Sequence, residues 1–208
     1  MSEQTQGFPP VIVTRKSGDE PLHENAQPLG PTLLDFWRWS ASDLVSNATR
    51  GILAEYLVAA ALGLAGGVRA EWDPFDLRTQ EGVKIEVKSA GYMQSWFHKK
   101  LSTITFGIRP TRMWDADTNR VAEEMKRQAD LYIFCVLNHQ NKSTVDPLNV
   151  SQWDFYLVLA AVLDERFPSQ KSISLGTLLT LNPCIAKYGG IATCVAELSS
   201  RLAAAKGA

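Results

Sequence analysis

Two short runs of β-compatible residues, Phe75 to Thr79 and Val83 to Lys88, are separated by Gln80-Glu81-Gly82. A three-residue loop with glycine where the backbone must turn left-handed closes such runs into a β-hairpin and fixes its register. Thr79 then faces Val83, Leu77 faces Ile85, Phe75 faces Val87, and Asp76 falls opposite Glu86. Because side chains alternate across a strand, Phe75, Leu77, Val83, Ile85 and Val87 form an apolar face, and Asp76, Arg78, Lys84, Glu86 and Lys88 a polar one. The apolar face demands a core, so the rest of the chain must fold around this hairpin.

The polar face carries an unfavourable pair. Cβ atoms directly across a ladder lie about 5 Å apart, and like charges there are destabilising. At a separation of about 4 Å and an effective dielectric near 20 the repulsion is roughly 4 kcal/mol, enough to require an offset. A divalent cation supplies one. Two carboxylates, the main-chain carbonyl of Val87 and waters make the hard, all-oxygen environment that Mg²⁺ prefers, with Mn²⁺ as a substitute. Lys88 leaves the same face two residues after Glu86, where an ammonium can orient a nucleophilic water and offset charge growing on a phosphoryl oxygen. A metal at Asp76 and Glu86 would polarise the phosphate and acidify the water.

Asp76 followed by Glu86-Val87-Lys88 resembles the D…(D/E)-x-K signature of the PD-(D/E)XK nuclease superfamily, over about residues 47 to 160. The resemblance implies a restriction-endonuclease-like α/β (α+β) fold, a mixed central sheet flanked by helices. It implies Mg²⁺ on Asp76 and Glu86, and Lys88 assisting the water. Members commonly carry a further glutamate on the preceding helix, and Glu55 is similar to it in placement; a polar residue after the lysine points to Gln94. The sequence departs from the family in having Phe75 directly before the aspartate, with Pro74 one place earlier.

Composition narrows the alternatives. The chain of 208 residues suffices for one sizeable core, and 45% hydrophobic with 21% charged residues is ordinary for a soluble globular protein. A net charge of −1 excludes a protein coated in positive charge, so any nucleic-acid binding must rest on a local patch. No apolar run approaches a membrane span and the N-terminus lacks a signal-peptide core, so no membrane partner is expected and the cytoplasm is the expected compartment. Cys135, Cys184 and Cys194 have no paired spacing and read as buried thiols; His23, His98 and His139 are scattered.

Along the chain, residues 1 to 31, with five prolines among polar residues, read as a flexible arm. An amphipathic helix begins near Thr32, and its Phe36, Trp37 and Trp39 read as packing residues or base-stacking ones. A second helix, from about Ala48 to Leu64, presents Ile52, Leu53, Tyr56, Leu57, Ala60 and Ala61 to a core. Glu55 on it is either an exposed helix glutamate or a third acidic site residue, and Gly51 leaves room for a close approach. Val68 to Trp72 reads as an edge strand, and Ser89-Ala90-Gly91 as the break after the hairpin.

The stretch beyond mixes Tyr92, Trp96, His98, Lys99 and Lys100, which either contact nucleic acid or form a solvated loop; Arg50 is a further contact candidate. Ser102 to Ile108 alternates as a strand, Asn119 to Gln128 reads as a polar helical connection, Leu131 to Leu137 as a strand buried on both faces, and Trp153 to Leu163 as another strand. Asp130 reads as a loop cap before a catalytic group. The domain expectation is therefore an arm over 1–31, a nuclease-like core over 32–165 and a helical extension over 166–208.

Three functions follow. The first is Mg²⁺-dependent phosphodiester hydrolysis, on DNA before RNA, with a homodimer as the geometry that double-strand cutting asks for. The second is a non-catalytic nucleic-acid- or protein-binding domain that keeps the nuclease fold. In the third, Glu86 and Lys88 are surface ion pairs worth about 0–1 kcal/mol.

Overall fold

The computed structural model describes Phe8, residues 11–115 and residues 119–206. An N-terminal hairpin, β1 (Pro21–Glu24) and β2 (Gln27–Thr32), turns through Asn25 and Ala26, both left-handed. Residues 21–32 of the expected arm therefore have regular structure, although their side chains stay almost entirely exposed. Helix α1 (Leu33–Ala41) starts at a capping box in which the Thr32 and Asp35 side chains each bond the other's main-chain N–H. It buries no residue: Phe36 and Trp39 are exposed, and Trp37, the least exposed of the three, lies against Gly18.

Helix α2 (Asn47–Ala61) is capped by Ser46 and followed by β3 (Leu77–Arg78), β4 (Lys84–Gly91), β5 (Thr105–Gly107), β6 (Thr111–Asp115), β7 (Arg120–Lys126), β8 (Leu131–Leu137) and β9 (Trp153–Leu159). The chain closes with α3 (Ala160–Arg166), β10 (Ser172–Ser174), α4 (Leu175–Leu179), β11 (Cys184–Ala186) and α5 (Ile191–Lys206). Five strands form one mixed sheet in the order β11-β9-β8-β4-β3, with β4 and β8 parallel and the other neighbours antiparallel.

Every residue of β8 is buried, because this central strand is covered on both faces. Its odd-numbered side chains join Ile85 and Val87 under α2 and α5, around Trp153, Phe155 and Leu157. Its even-numbered ones, Tyr132, Phe134 and Val136, pack with Ile104, Phe106, Leu163 and Leu178 from β5, α3 and α4. The result is the mixed sheet flanked by helices that the sequence implies.

Several local expectations fail for identifiable reasons. Residues 68–72 form no strand, and β4 runs through Ser89-Ala90-Gly91 because β8 pairs with it as far as Gly91. The connection expected as a helix is β7, whose helix-favouring residues are overridden by antiparallel pairing with β6. Helix α2 buries Ala54, Leu57, Val58 and Ala59, leaving Ile52 and Tyr56 exposed, and nothing approaches the Cα of Gly51 closely. Cys184 and Cys194 are not free thiols: a disulfide joins β11 to α5, where their Cα atoms lie 6.1 Å apart, and Cys135 alone remains free and buried.

Candidate active site

The expected hairpin register is present: Leu77 pairs with Ile85 and Arg78 with Lys84, and Gly82 sits at a φ of 86°. The strand that pairs with β4 is only two residues long, however, so most of that edge of β4 is open. The Lys84 carbonyl accepts from the Asp130 N–H on the β8 side. Ile85 and Val87 therefore turn their main-chain groups the other way, toward the open edge. There the Ile85 carbonyl accepts from the Asp76 N–H at 3.0 Å, and the Val87 N–H donates to Asp76 Oδ2 at 2.6 Å.

The Asp76 amide thus addresses the same residue that Leu77 faces, a β-bulge-like step that adds a residue to one side of the ladder. Side-chain alternation changes phase at that step. Phe75, expected beside Leu77, goes instead to the opposite face, where Arg78 and Lys84 lie over its ring at 4.8 and 5.5 Å and Ala90 and Phe134 share its cluster. Asp76, expected beside Glu86 and Lys88, turns to the edge and lines the cleft beneath α2.

Negative charge is concentrated at this edge. Burial, then the neighbouring Glu86, pushes the Asp76 carboxyl up to about 7; Glu55 adds to the rise, and the Val87 N–H and Lys88 oppose it. Glu86 forms an ion pair with Lys88 and lies beside Tyr132, its register partner on β8. Burial, and secondarily Glu86, raises the Tyr132 hydroxyl above its ordinary value. Glu86 and Glu55 therefore both act on Asp76, around a strand edge that supplies a main-chain carbonyl, with Lys88 beside them.

Glu55 is not an ordinary exposed helix residue. Its side chain is 15% exposed and accepts two bonds from the Arg69 guanidinium, that from Nη2 at 3.1 Å. Glu55, Arg69, Asp76 and Arg78 border a cleft of about 310 Å³ whose remaining wall is mostly aliphatic, with the exposed ring of Tyr56 on it. Sequence reading missed Arg69, whose only signal is a lone cation in the loop leading from α2 to the hairpin.

Gln94 is buried beyond the end of β4 and donates to the Gly91 carbonyl at 3.2 Å and Ser102 Oγ at 3.0 Å. Its Oε1 has no hydrogen-bond partner among the described residues. Arg50 is corrected from a nucleic-acid contact to an internal brace: only 3% exposed, it donates to the Val45 carbonyl, Asn47 Oδ1 and Ser89 Oγ at 2.8, 2.6 and 3.3 Å. Tyr92 is half-buried against the core and His98 bonds the Lys100 carbonyl at 2.9 Å, whereas Trp96, Lys99 and Lys100 are exposed on the loop after β4. Asp130 is a structural cap, accepting from the Lys84 N–H at 3.0 Å and pairing with Lys206.

Among the described residues no three His, Cys, Asp or Glu side chains converge as a ready-made cage. A hard divalent cation nevertheless fits the donor chemistry here: two carboxylates, one of them held toward its neutral form by burial and then by its acidic neighbour, beside a main-chain carbonyl on the strand edge. No helix among the described residues is long and apolar enough to cross a membrane.

The family model of bacteriophage T4 endonuclease IV matches residues 33–177, from α1 to α4, and includes the whole of this edge. No curated protein sequence matches the chain.

Proposed function

The chain belongs to the bacteriophage T4 endonuclease IV family, and from that membership we propose a divalent-metal-dependent endonuclease that hydrolyses phosphodiester bonds of DNA. The open edge of β4 is its active site, arranged in the PD-(D/E)XK manner. The observation that carries the reading is geometric: the Asp76 carboxylate is fixed on the Val87 N–H one residue from Glu86, which holds Lys88, and it shares a cleft with Glu55. Glu86 and Glu55 have Lys88 and Arg69 as ion-pair partners, whereas among the described residues Asp76 has none, and a bound cation would offset its charge.

Asp76, Glu86 and the Val87 carbonyl would hold Mg²⁺ or Mn²⁺, with Glu55 at the margin. The ion's contribution when bound is to polarise the phosphate and lower the pKa of a water. The protein supplies the rest. The Val87 N–H fixes the Asp76 carboxylate through a charge-assisted bond, so this group meets substrate already oriented. Lys88, held by Glu86, orients the attacking water and donates to the phosphoryl oxygen on which charge accumulates. Arg69 neutralises Glu55, limiting the repulsion that a polyanion meets on approach. Gln94 holds the end of β4 to the loop after it through Gly91 and Ser102, and so supports Lys88 from behind.

The test is cleavage of single-stranded and duplex DNA with Mg²⁺, with Mn²⁺ and with chelator, by wild type and by Lys88→Ala. Cleavage that needs metal and falls at least about 100-fold in the variant is expected, the scale of a lost general acid–base group. Full activity in Lys88→Ala, or full activity in chelator, would overturn the assignment. Cleavage of RNA in place of DNA would keep the chemistry and change the substrate.

A further inference from the structure

A second concave surface lies away from the acidic edge, between residues 109–112 and residues 168–171. It encloses about 660 Å³ over a floor of Pro110, Met125 and Pro168, and carries three exposed cations, Arg109, Arg112 and Lys171. Among the described residues no carboxylate lines it, and none of the three cations is in an ion pair.

The walls are built rather than incidental. Arg127, 6% exposed, lies beneath them and donates from Nε to the Ile108 carbonyl at 2.8 Å and from Nη2 to the Phe167 carbonyl at 2.7 Å. These are the residues immediately before Arg109 and Pro168, so one guanidinium ties both walls together, and Asp164 neutralises it from the side. The Ile108 N–H donates to the Lys171 carbonyl at 2.9 Å, and Gln128 Nε2 to the Thr111 carbonyl at 2.9 Å, completing the frame. The groove also shares a sheet face with the site: Glu86 pairs in register with Tyr132, which lies in the same core cluster as Ile108, whose carbonyl Arg127 bonds. Trp114 of β6 meets Trp72, just ahead of Asp76, edge-on at 5.7 Å.

We propose that this groove docks the sugar–phosphate backbone of the DNA strand flanking the cleaved bond, a reading that rests on the endonuclease function above. The charge distribution favours it. The acidic edge repels a polyanion until metal arrives, and a net charge of −1 provides no general attraction. A fixed set of cations on the same face of the sheet supplies the missing attraction, with Arg forks suited to phosphate oxygens and an apolar floor suited to sugars.

The test compares the full-length wild type with the Arg109→Ala/Arg112→Ala/Lys171→Ala variant, binding labelled 30-nucleotide single-stranded and duplex DNA in chelator over a range of salt. Each phosphate contact contributes about 0.7 to 0.9 to the salt exponent, so the variant should lose about 2 to 3 from it and bind at least about tenfold more weakly at low salt. A charge-retaining variant, Arg109→Lys/Arg112→Lys/Lys171→Arg, should keep most of the binding, which separates charge from fold. With metal added, the alanine variant should show a raised KM on the long substrate at nearly unchanged kcat.

Equal affinity and equal salt exponent in the alanine variant and wild type would overturn the proposal. So would loss of binding to polyglutamate, with DNA binding intact, which would mark an acidic-protein site. If Lys88→Ala abolishes cleavage while the groove variant binds normally, the endonuclease reading stands and the groove falls. If wild type cuts nothing but loses DNA binding on groove substitution, the groove stands and the cleavage reading falls.

Discussion

Asp76→Asn should stabilise the metal-free protein above neutral pH. The folded protein holds the Asp76 carboxyl at about 7 against an ordinary value of 3.8, chiefly by burial and by Glu86. The folded state therefore binds this proton more tightly than the unfolded chain. The associated stability is fully present below about pH 4 and is lost as pH rises through about 7. At 1.36 kcal/mol per pH unit the displacement corresponds to about 4 kcal/mol. Because Asp76 is partly exposed, about 2 to 4 kcal/mol is the range to expect. Asparagine keeps an oxygen for the Val87 N–H and carries no charge, so it removes the penalty without orphaning that donor.

Urea denaturation in chelator at pH 5, 7 and 8.5 measures the effect. The wild type should weaken progressively relative to the variant, with the gap closing toward pH 5 and widest at pH 8.5. Saturating Mg²⁺ should then narrow the gap at pH 8.5 if it binds as proposed, because such an ion would stabilise only the chain that retains the carboxylate. A pH-independent difference, or a variant less stable than wild type at pH 8.5, would refute the claim that burial and Glu86 hold the Asp76 carboxyl above its ordinary value.

Other perturbations test the frame of the site. Arg127→Leu leaves the Ile108 and Phe167 carbonyls without their buried donor, and should cost about 2 to 4 kcal/mol by urea denaturation. Arg50→Met should cost a similar amount and impair cleavage as well, because α2 and β4 lose the tie through Ser89 that keeps Glu55 and Glu86 in fixed relation. Reducing the Cys184–Cys194 bond opens a loop of ten-residue separation and should cost about 3 kcal/mol, read as a lowered melting temperature in reductant that Cys184→Ser/Cys194→Ser reproduces without it. Phe134→Ala, at a fully buried ring between Phe106 and Tyr132, should cost about 3 to 5 kcal/mol.

The centre of the fold was legible because its signals are local. The glycine loop sets the register of β3 with β4, and the unbroken apolar run of β8 can only be a strand covered on both faces. The phase change at Asp76 was not legible, since a bulge is decided by how the edge strand meets β4, and Phe75-Asp76-Leu77 reads as simple alternation. Arg120 to Lys126 has helical composition and becomes a strand only because β6 is present to pair with it. Cys184 and Cys194 carry no spacing signature; the packing of α5 on β11 brings them together. Among the site residues, Asp76, Glu86, Lys88 and Glu55 do gather on or around one edge, while Arg50, named for its charge, proves to be held inside by its geometry.

The shortness of β3 has a consequence for the protein's life in a crowded solution. A strand whose main-chain groups are left unpaired is a template for another strand, and proteins ordinarily shield such edges. Here the shield is the acidic cluster itself: the Asp76 carboxylate occupies the Val87 N–H that an incoming strand would seek, and Glu86 and Lys88 flank it with charge. The side chains proposed for catalysis are also the ones that keep two molecules from zipping together along the edge, so replacing them with small apolar residues removes a guard against self-association.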